Sequence, residues 1–194
     1  MTSLILGLLI FLGVHSIRIF ADDWRTARIA DMGIWAWKSL YALVSLVGFA
    51  LLIWGYGQMR AQPVDLWIPP PWTHQVNVYL MLLSFVLVAA AYVPANHIKA
   101  AMGHPMLLGT KVWAIGHLLS NGRLGDVILF GAFLAWAVVN FSAARRRDRA
   151  AHTQYRAGTL KGTVLAVIIG LVFWVVFARY LHPWLIGVTP IAVA

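Results

Sequence analysis

The chain alternates between long apolar runs and short polar segments. Six runs come close to the ~20 residues that a helix needs to cross a bilayer core at about 1.5 Å per residue. They are Leu4–Ala21, Ser39–Met59, Val76–Pro94, Pro105–Ser120, Val127–Ala144 and Gly162–Ala178. The pattern predicts an all-α polytopic membrane helix bundle of about six transmembrane helices, in one domain over residues 1–194. The fourth run is the shortest, and its length also suits a re-entrant or tilted helix.

Composition supports membrane embedding and excludes several kinds of chemistry. Of the 194 residues, 61% are hydrophobic and only 11% are charged, which is too apolar for a soluble domain. The absence of cysteine excludes disulfides, thiolate metal sites and cysteine nucleophiles. All six acidic residues are aspartate, which excludes mechanisms that need a glutamate base. The first run lacks the flanks of a signal peptide, and we expect it to be retained.

The distribution of basic residues predicts the topology. Eleven Lys and Arg residues belong to one set of alternate segments and three to the other. Under the positive-inside rule, this predicts a protein of the bacterial inner (cytoplasmic) membrane with cytoplasmic basic loops and both termini periplasmic. The same rule accounts for the net charge of +9 without a nucleic-acid partner. We interpret the run Arg145–Arg149 as a topological anchor in preference to a lipid- or nucleic-acid-recognition patch.

Two of the seven histidines, His15 and His117, fall well inside apolar runs. Each lies about 18 Å from the end at which its run enters the membrane, and their heights in a ~30 Å core differ by about 6 Å. Two neutral imidazoles on different helices are a common way to hold b-type haem in a bundle. We therefore predict haem b as the cofactor, with His15 and His117 as ligands of the haem iron. The alternative, that each makes only an interhelical hydrogen bond, stays open.

Three further residues are candidates for binding the cofactor through its acidic groups, such as haem propionates. Arg18 lies one helical turn from His15. His104 and Lys111 are seven positions apart and share a helix face, from which His117 is rotated by about 140°. The competing interpretation is that the side chains of Arg18 and Lys111 extend to the membrane–water interface, or that Arg18 forms an ion pair with Asp22.

Several stretches resemble the NnrU family of integral membrane proteins. They are GVHSIRI (13–19), WKSLYALVSLVGF (37–49), WGYG (54–57), PPPW (69–72), IKAAMGHPMLLG (98–109) and GHLLSNG (116–122). The resemblance implies a link to nitrite and nitric oxide metabolism in denitrification. Relatives of this family include 15-cis-zeta-carotene isomerase, a membrane enzyme that uses haem b. The haem ligands of that relative correspond to His15 and His117, and another noted histidine corresponds to His104.

The sequence departs from the pattern of its relatives at three positions. Gly103 stands where many relatives have arginine, which puts a partner for propionate or substrate in doubt. Arg123 stands where they have aspartate. Ala114 replaces a cysteine of the isomerase, so iron ligand switching that needs that thiol cannot operate here.

The functional interpretation is a haem-b-binding membrane protein with a nitrogen-oxide-related redox partner or an assembly role. The alternative is a haem-dependent cis–trans isomerase of a carotenoid-like polyene. A membrane methyltransferase is disfavoured because Gly103 replaces the required arginine and the glutamate pair is missing. The bilayer is the expected environment. The sequence identifies no catalytic residue, and whether the protein is an enzyme stays open.

Overall fold

The computed structural model describes residues 1–191 and shows helices joined by short connections. In chain order the helices are α1 (Thr2–Phe20), α2 (Asp22–Met32), α3 (Ile34–Ala61), α4 (Trp72–Tyr92), α5 (His97–Met102), α6 (Pro105–Ser120), α7 (Leu124–Ala150), α8 (Leu160–Val176) and α9 (His182–Ile186), with a π-helical turn (Phe177–Leu181) before α9. The predicted all-α polytopic fold class is confirmed.

Within residues 1–191, five helical stretches are long and apolar enough to cross a bilayer. They are α1, α3, α4, α7 and the stretch Leu160–Ile186. α6 matches the fourth predicted run, Pro105–Ser120, and has 16 residues. At 1.5 Å per residue it is about 24 Å long, which is short of a ~30 Å hydrocarbon core. Of the six expected spans, five are therefore helices of full length, and the sixth, α6, is a short helix.

Two helices extend beyond the apolar runs that predicted them. α3 begins at Ile34, directly after Gly33, whose φ of 83° lies in the left-handed region. α7 continues through the arginine-rich segment to Ala150, because Arg and Ala are both good helix formers. Both helices continue beyond the limits of the apolar runs at Ser39 and Ala144, since an apolar run marks the membrane core and not the helix end.

The apolar pattern did not predict the short polar helices α2 and α5. α2 has no buried residue, and Asp22 and Asp23 in its first turn favour a helix start because they complement the helix dipole. α5 is capped by Asn96, whose side chain accepts a hydrogen bond from the backbone N–H of Lys99 at 2.7 Å. Local polar contacts, and not burial, therefore define these elements.

The helices group into two compact units. Unit 1 comprises Met1–Ile68 and Gly122–Asn140, and unit 2 comprises Pro69–Asn121 and the chain from Phe141 onward. α7 contributes its first part to unit 1 and its last part to unit 2. The prediction of a single domain over residues 1–194 stays a prediction.

Glycines allow close packing of α1 against α3 in unit 1. A Cβ atom added to Gly55 would overlap the backbone of Leu4, and one added to Gly7 would overlap the backbone of Leu52. Gly57, only two positions from Gly55, has nothing within 4 Å of its Cβ position. Gly55 therefore lies in the contact between α1 and α3, and Gly57 lies outside it.

In unit 2, α4 packs against both α6 and α8. The Ser84 hydroxyl of α4 donates to the carbonyl oxygen of Gly109 in α6 at 2.9 Å. On α8, a Cβ atom added to Gly170 would lie 2.6 Å from the Cα of Val86. Small residues therefore bring two helices close to α4, and α6 carries His117.

Candidate functional site

His15 lies in α1 among three aromatic side chains of unit 1. Its ring centroid is 4.2 Å from that of Phe11, 5.2 Å from Tyr41 and 6.2 Å from Trp136. The indole N–H of Trp136 is buried and has no hydrogen-bond partner in the described chain. Sequence reasoning missed Tyr41 and Trp136, because aromatic residues recur throughout the apolar runs and none stands out.

The hydrogen bond of His15 defines its tautomer. Nδ1 lies 2.6 Å from the carbonyl oxygen of Phe11 in the same helix. Since a carbonyl oxygen only accepts, Nδ1 carries the hydrogen and Nε2 keeps its lone pair. Metal-binding histidines commonly donate their second ring N–H to a carbonyl in this way. The expected alternative, an interhelical hydrogen bond, does not occur for His15 among residues 1–191.

Arg18 faces away from the protein, with 61% of its side chain exposed. Its Nε lies 3.9 Å from Oδ2 of Asp22, so the alternative of an i,i+4 pair is confirmed. Arg25 lies closer to Asp22, with 3.1 Å between its Nη1 atom and Oδ1 of the carboxylate. Exposed pairs of this kind contribute about 0–1 kcal/mol.

His117 lies in the last turn of α6 and meets the ring of Trp113 edge-on at 5.6 Å. The Nδ2 atom of Asn121 lies 3.3 Å from Nδ1 of His117 and donates to its carbonyl oxygen at 2.9 Å. The same amide reaches the hydroxyl of Ser120 at 3.2 Å, and that hydroxyl accepts from Asn77 of α4 at 2.9 Å. A polar network thus connects His117 to α4.

The contacts of Asn121 do not determine the tautomer of His117. The amide nitrogen of Asn121 carries two hydrogens and lies near three acceptors, the carbonyl oxygen of His117 at 2.9 Å, the hydroxyl of Ser120 at 3.2 Å and Nδ1 of His117 at 3.3 Å. Coordination of an iron through Nε2 requires the hydrogen on Nδ1, and the role of His117 as an iron ligand stays a prediction.

His104 precedes α6 and belongs to a separate polar cluster in unit 2. Its Nε2 lies 2.8 Å from Oδ2 of Asp148 near the end of α7. The Tyr155 hydroxyl donates to the same oxygen at 2.6 Å, and Arg145 lies 3.6 Å from it. Burial and the hydrogen bond to Asp148 raise the pKa of Tyr155 to about 12. His104 is therefore engaged by an aspartate that lies 44 positions away in the sequence.

His104 and Lys111 share one surface, as their seven-residue spacing predicted. The Lys111 ammonium lies 3.9 Å from the ring centroid of Phe141, and the His104 ring meets the same phenyl ring at 6.2 Å. A cation over an aromatic face is stabilised by the ring quadrupole. Phe141 thus partly compensates the cost of placing Lys111 on an apolar helix, and a role in binding propionates stays a prediction for both residues.

The two predicted iron ligands belong to different units, His15 to unit 1 and His117 to unit 2. The contacts described above are those of each histidine within its own unit, and the sharing of one iron stays a prediction. Within residues 1–191, no group of three or more His, Cys, Asp or Glu side chains is arranged to hold a metal ion. Haem needs only one or two protein ligands, so its binding does not depend on such a group.

One buried polar contact was missed at the level of sequence. The Tyr56 hydroxyl donates to Asp126 at 2.5 Å, and Asp126 is only 4% exposed. The contact joins residues from different helices, which a linear pattern does not reveal. The π-helical turn directly before His182 also had no recognisable sequence signal.

These observations define a class of protein: a polytopic, all-helical membrane protein with histidines inside its apolar helices. The family model described as NnrU protein matches residues 3–190, and the chain belongs to the NnrU family. No curated protein and no solved structure matches it.

Proposed function

We propose that this member of the NnrU family binds haem b inside the membrane, and that His15 and His117 would hold its iron. The observation that carries the proposal is the hydrogen bond from Nδ1 of His15 to Phe11, which leaves the Nε2 lone pair available. The buried, unpartnered N–H of Trp136 adds support, because a bound cofactor would supply an acceptor there.

Haem bound by histidines supplies one-electron transfer or sensing of small nitrogen oxides. We propose that the protein serves nitrite and nitric oxide metabolism, as a redox or sensing partner of a reductase or as an assembly factor. Arg18 is the best placed of the three candidate propionate partners, because it lies one turn from His15. His104 and Lys111 are committed to Asp148 and Phe141 and are weaker candidates.

The test is the absorption spectrum of the detergent-purified protein after expression with sufficient haem. We expect b-type bands in the reduced protein, and a loss of bound haem of about tenfold or more in His15→Ala and His117→Ala. His74→Ala is the matched control, because His74 is exposed at the start of α4. A colourless wild-type protein, or equal haem content in all three variants, would contradict the proposal.

A second candidate function, polyene isomerisation, is favoured by one observation. An open apolar recess of about 460 Å³ runs along α1 and the first part of α7 in unit 1. Leu8, Leu12, Ala132 and Trp136 are among its lining residues. A long conjugated chain would need such a groove. Incubating haem-loaded protein with a cis polyene and separating the isomers by chromatography tests this function, and His15→Ala is the control.

We also propose that the basic loops face the cytoplasm and that both termini face the periplasm of a bacterial inner membrane. Because the chain has no cysteine, single cysteines can be introduced without background. Thr153→Cys should resist a membrane-impermeant thiol reagent in intact spheroplasts, and Thr2→Cys should react. The reverse pattern would contradict the proposed orientation.

A further inference from the structure

The arginine-rich end of α7 has one face turned away from unit 2. Ala143 and Ala144 are each 3% exposed, whereas Ser142, Arg146 and Arg149 are exposed. At about 100° per residue, the three exposed residues fall within an arc of about 60°, and Ala144 lies on the opposite side of the helix. The exposed face therefore points toward the surroundings of the protein.

The side chains on this face form an open recess of about 360 Å³. Its lining consists of Phe141, Ser142, Arg145, Arg146 and Arg149. Phe141 lies at the end nearer the middle of α7, where the preceding residues are apolar, and the arginines lie at the polar end. We name this feature the arginine recess. It has an apolar side, a hydroxyl and a cluster of three guanidinium groups.

The positive charge of the arginine recess is only partly balanced by ion pairs among the described residues. Asp148 is the acidic residue nearest in sequence, and its Oδ2 is already bonded to His104 and Tyr155. Arg145 contacts it at 3.6 Å. Neither Arg146 nor Arg149 forms an ion pair in the described part of the chain. An anion at this position would therefore relieve repulsion between the guanidinium groups.

We propose that the arginine recess binds the phosphate group of an anionic membrane phospholipid. Guanidinium groups match phosphate oxygens in bidentate geometry. The recess lies where a membrane span gives way to a polar segment, which is the depth of lipid headgroups. Phe141 lies on the acyl side of the phosphate, and Lys111 over its ring adds a further cation. This inference does not rest on haem binding.

The test counts bound lipid on the full-length protein by native mass spectrometry during titration with phosphatidylglycerol in detergent. Phosphatidylcholine is the neutral comparison. We expect wild type to prefer phosphatidylglycerol and Arg146→Gln/Arg149→Gln to bind it about 30-fold more weakly. A basic residue near an anionic surface contributes ~1 kcal/mol, and each 1.4 kcal/mol is a factor of ten.

The matched control is Arg156→Gln/Lys161→Gln, which removes the same charge from the segment between α7 and α8 and from the first turn of α8. Its affinity for phosphatidylglycerol should fall less than about threefold. Equal weakening in both double variants would show diffuse attraction and overturn the proposal, as would a wild type without preference for phosphatidylglycerol. A third arm adds inorganic phosphate as competitor. If inorganic phosphate displaces the lipid when the two are present at equal concentration, the acyl side of the recess contributes nothing, and the assignment to a phospholipid is wrong.

Discussion

The contrast between Gly55 and Gly57 makes a sharp test of helix packing in unit 1. Both lie in the last third of α3, and both would gain a methyl group in a change to alanine. At Gly55 the new Cβ would overlap the backbone nitrogen of Leu4 in α1. At Gly57 it would meet nothing within 4 Å. The two substitutions therefore make the same chemical change, and they differ in whether the added methyl group meets the neighbouring helix.

The expected magnitudes follow from two opposing terms. Alanine favours a helix interior by about 0.8–1 kcal/mol over glycine, and Gly57→Ala should gain up to about that amount. Gly55→Ala gains the same term but must separate two backbones, and overpacking costs about 1–3 kcal/mol. Because backbone atoms move less readily than a flexible side chain, we use the upper end of this range for the overpacking cost. Gly55→Ala should then lose about 2 kcal/mol, and the two variants should differ by about 3 kcal/mol.

The assay is reversible unfolding in mixed micelles of rising dodecyl sulfate content, followed by helical circular dichroism and tryptophan fluorescence. Gly55→Ala should unfold at a lower dodecyl sulfate fraction than wild type, and Gly57→Ala at the same or a higher fraction. Equal stability of the two variants would refute the close approach of α1 and α3. So would a stabilised Gly55→Ala.

Three other substitutions test polar contacts. Tyr56→Phe leaves the buried carboxylate of Asp126 without its donor and should lower the free energy of unfolding by about 2 kcal/mol in the same micelle assay. Asn96→Ala removes a helix cap and two buried donations, and should cost about 2–4 kcal/mol by the same measurement. Tyr155→Phe should make the free energy of unfolding less dependent on pH at alkaline pH. The raised pKa of Tyr155 means that its neutral hydroxyl stabilises the fold below pH 10, and that this stabilisation is lost as the pH rises through about 12. A wild-type profile unchanged between pH 10 and 12 would contradict that prediction.

The sequence predicted the spans because one physical requirement, burial of the backbone in lipid, gives a long apolar run whatever the neighbours are. It predicted helix ends poorly. α7 continues to Ala150 because helix propensity persists after the apolar requirement has ended. It also did not distinguish Gly55 from Gly57, because the rotation of a helix toward its partner depends on tertiary contacts.

In the candidate site, too, the sequence predicts what depends on position along a helix and not what depends on tertiary contacts. The depth of His15 and His117 follows from counting residues along a helix. The tautomer of His15 does not, because it depends on the atom that faces Nδ1. That atom is the carbonyl oxygen of Phe11 in the preceding turn. The partnership of His104 with Asp148 joins residues 44 positions apart and had no local signal.

Gly103 shows how tertiary structure restricts a single position. Its φ of 73° favours glycine, and a Cβ atom there would lie 2.7 Å from the hydroxyl oxygen of Tyr155. Tyr155 therefore occupies the space beside Gly103, and its hydroxyl donates to Asp148. A larger residue at position 103 would contact the ring of Tyr155 and would also have to adopt a backbone conformation that residues with a side chain rarely adopt. The two positions are therefore coupled, because any side chain at position 103 requires Tyr155 to move and its hydrogen bond to Asp148 to change.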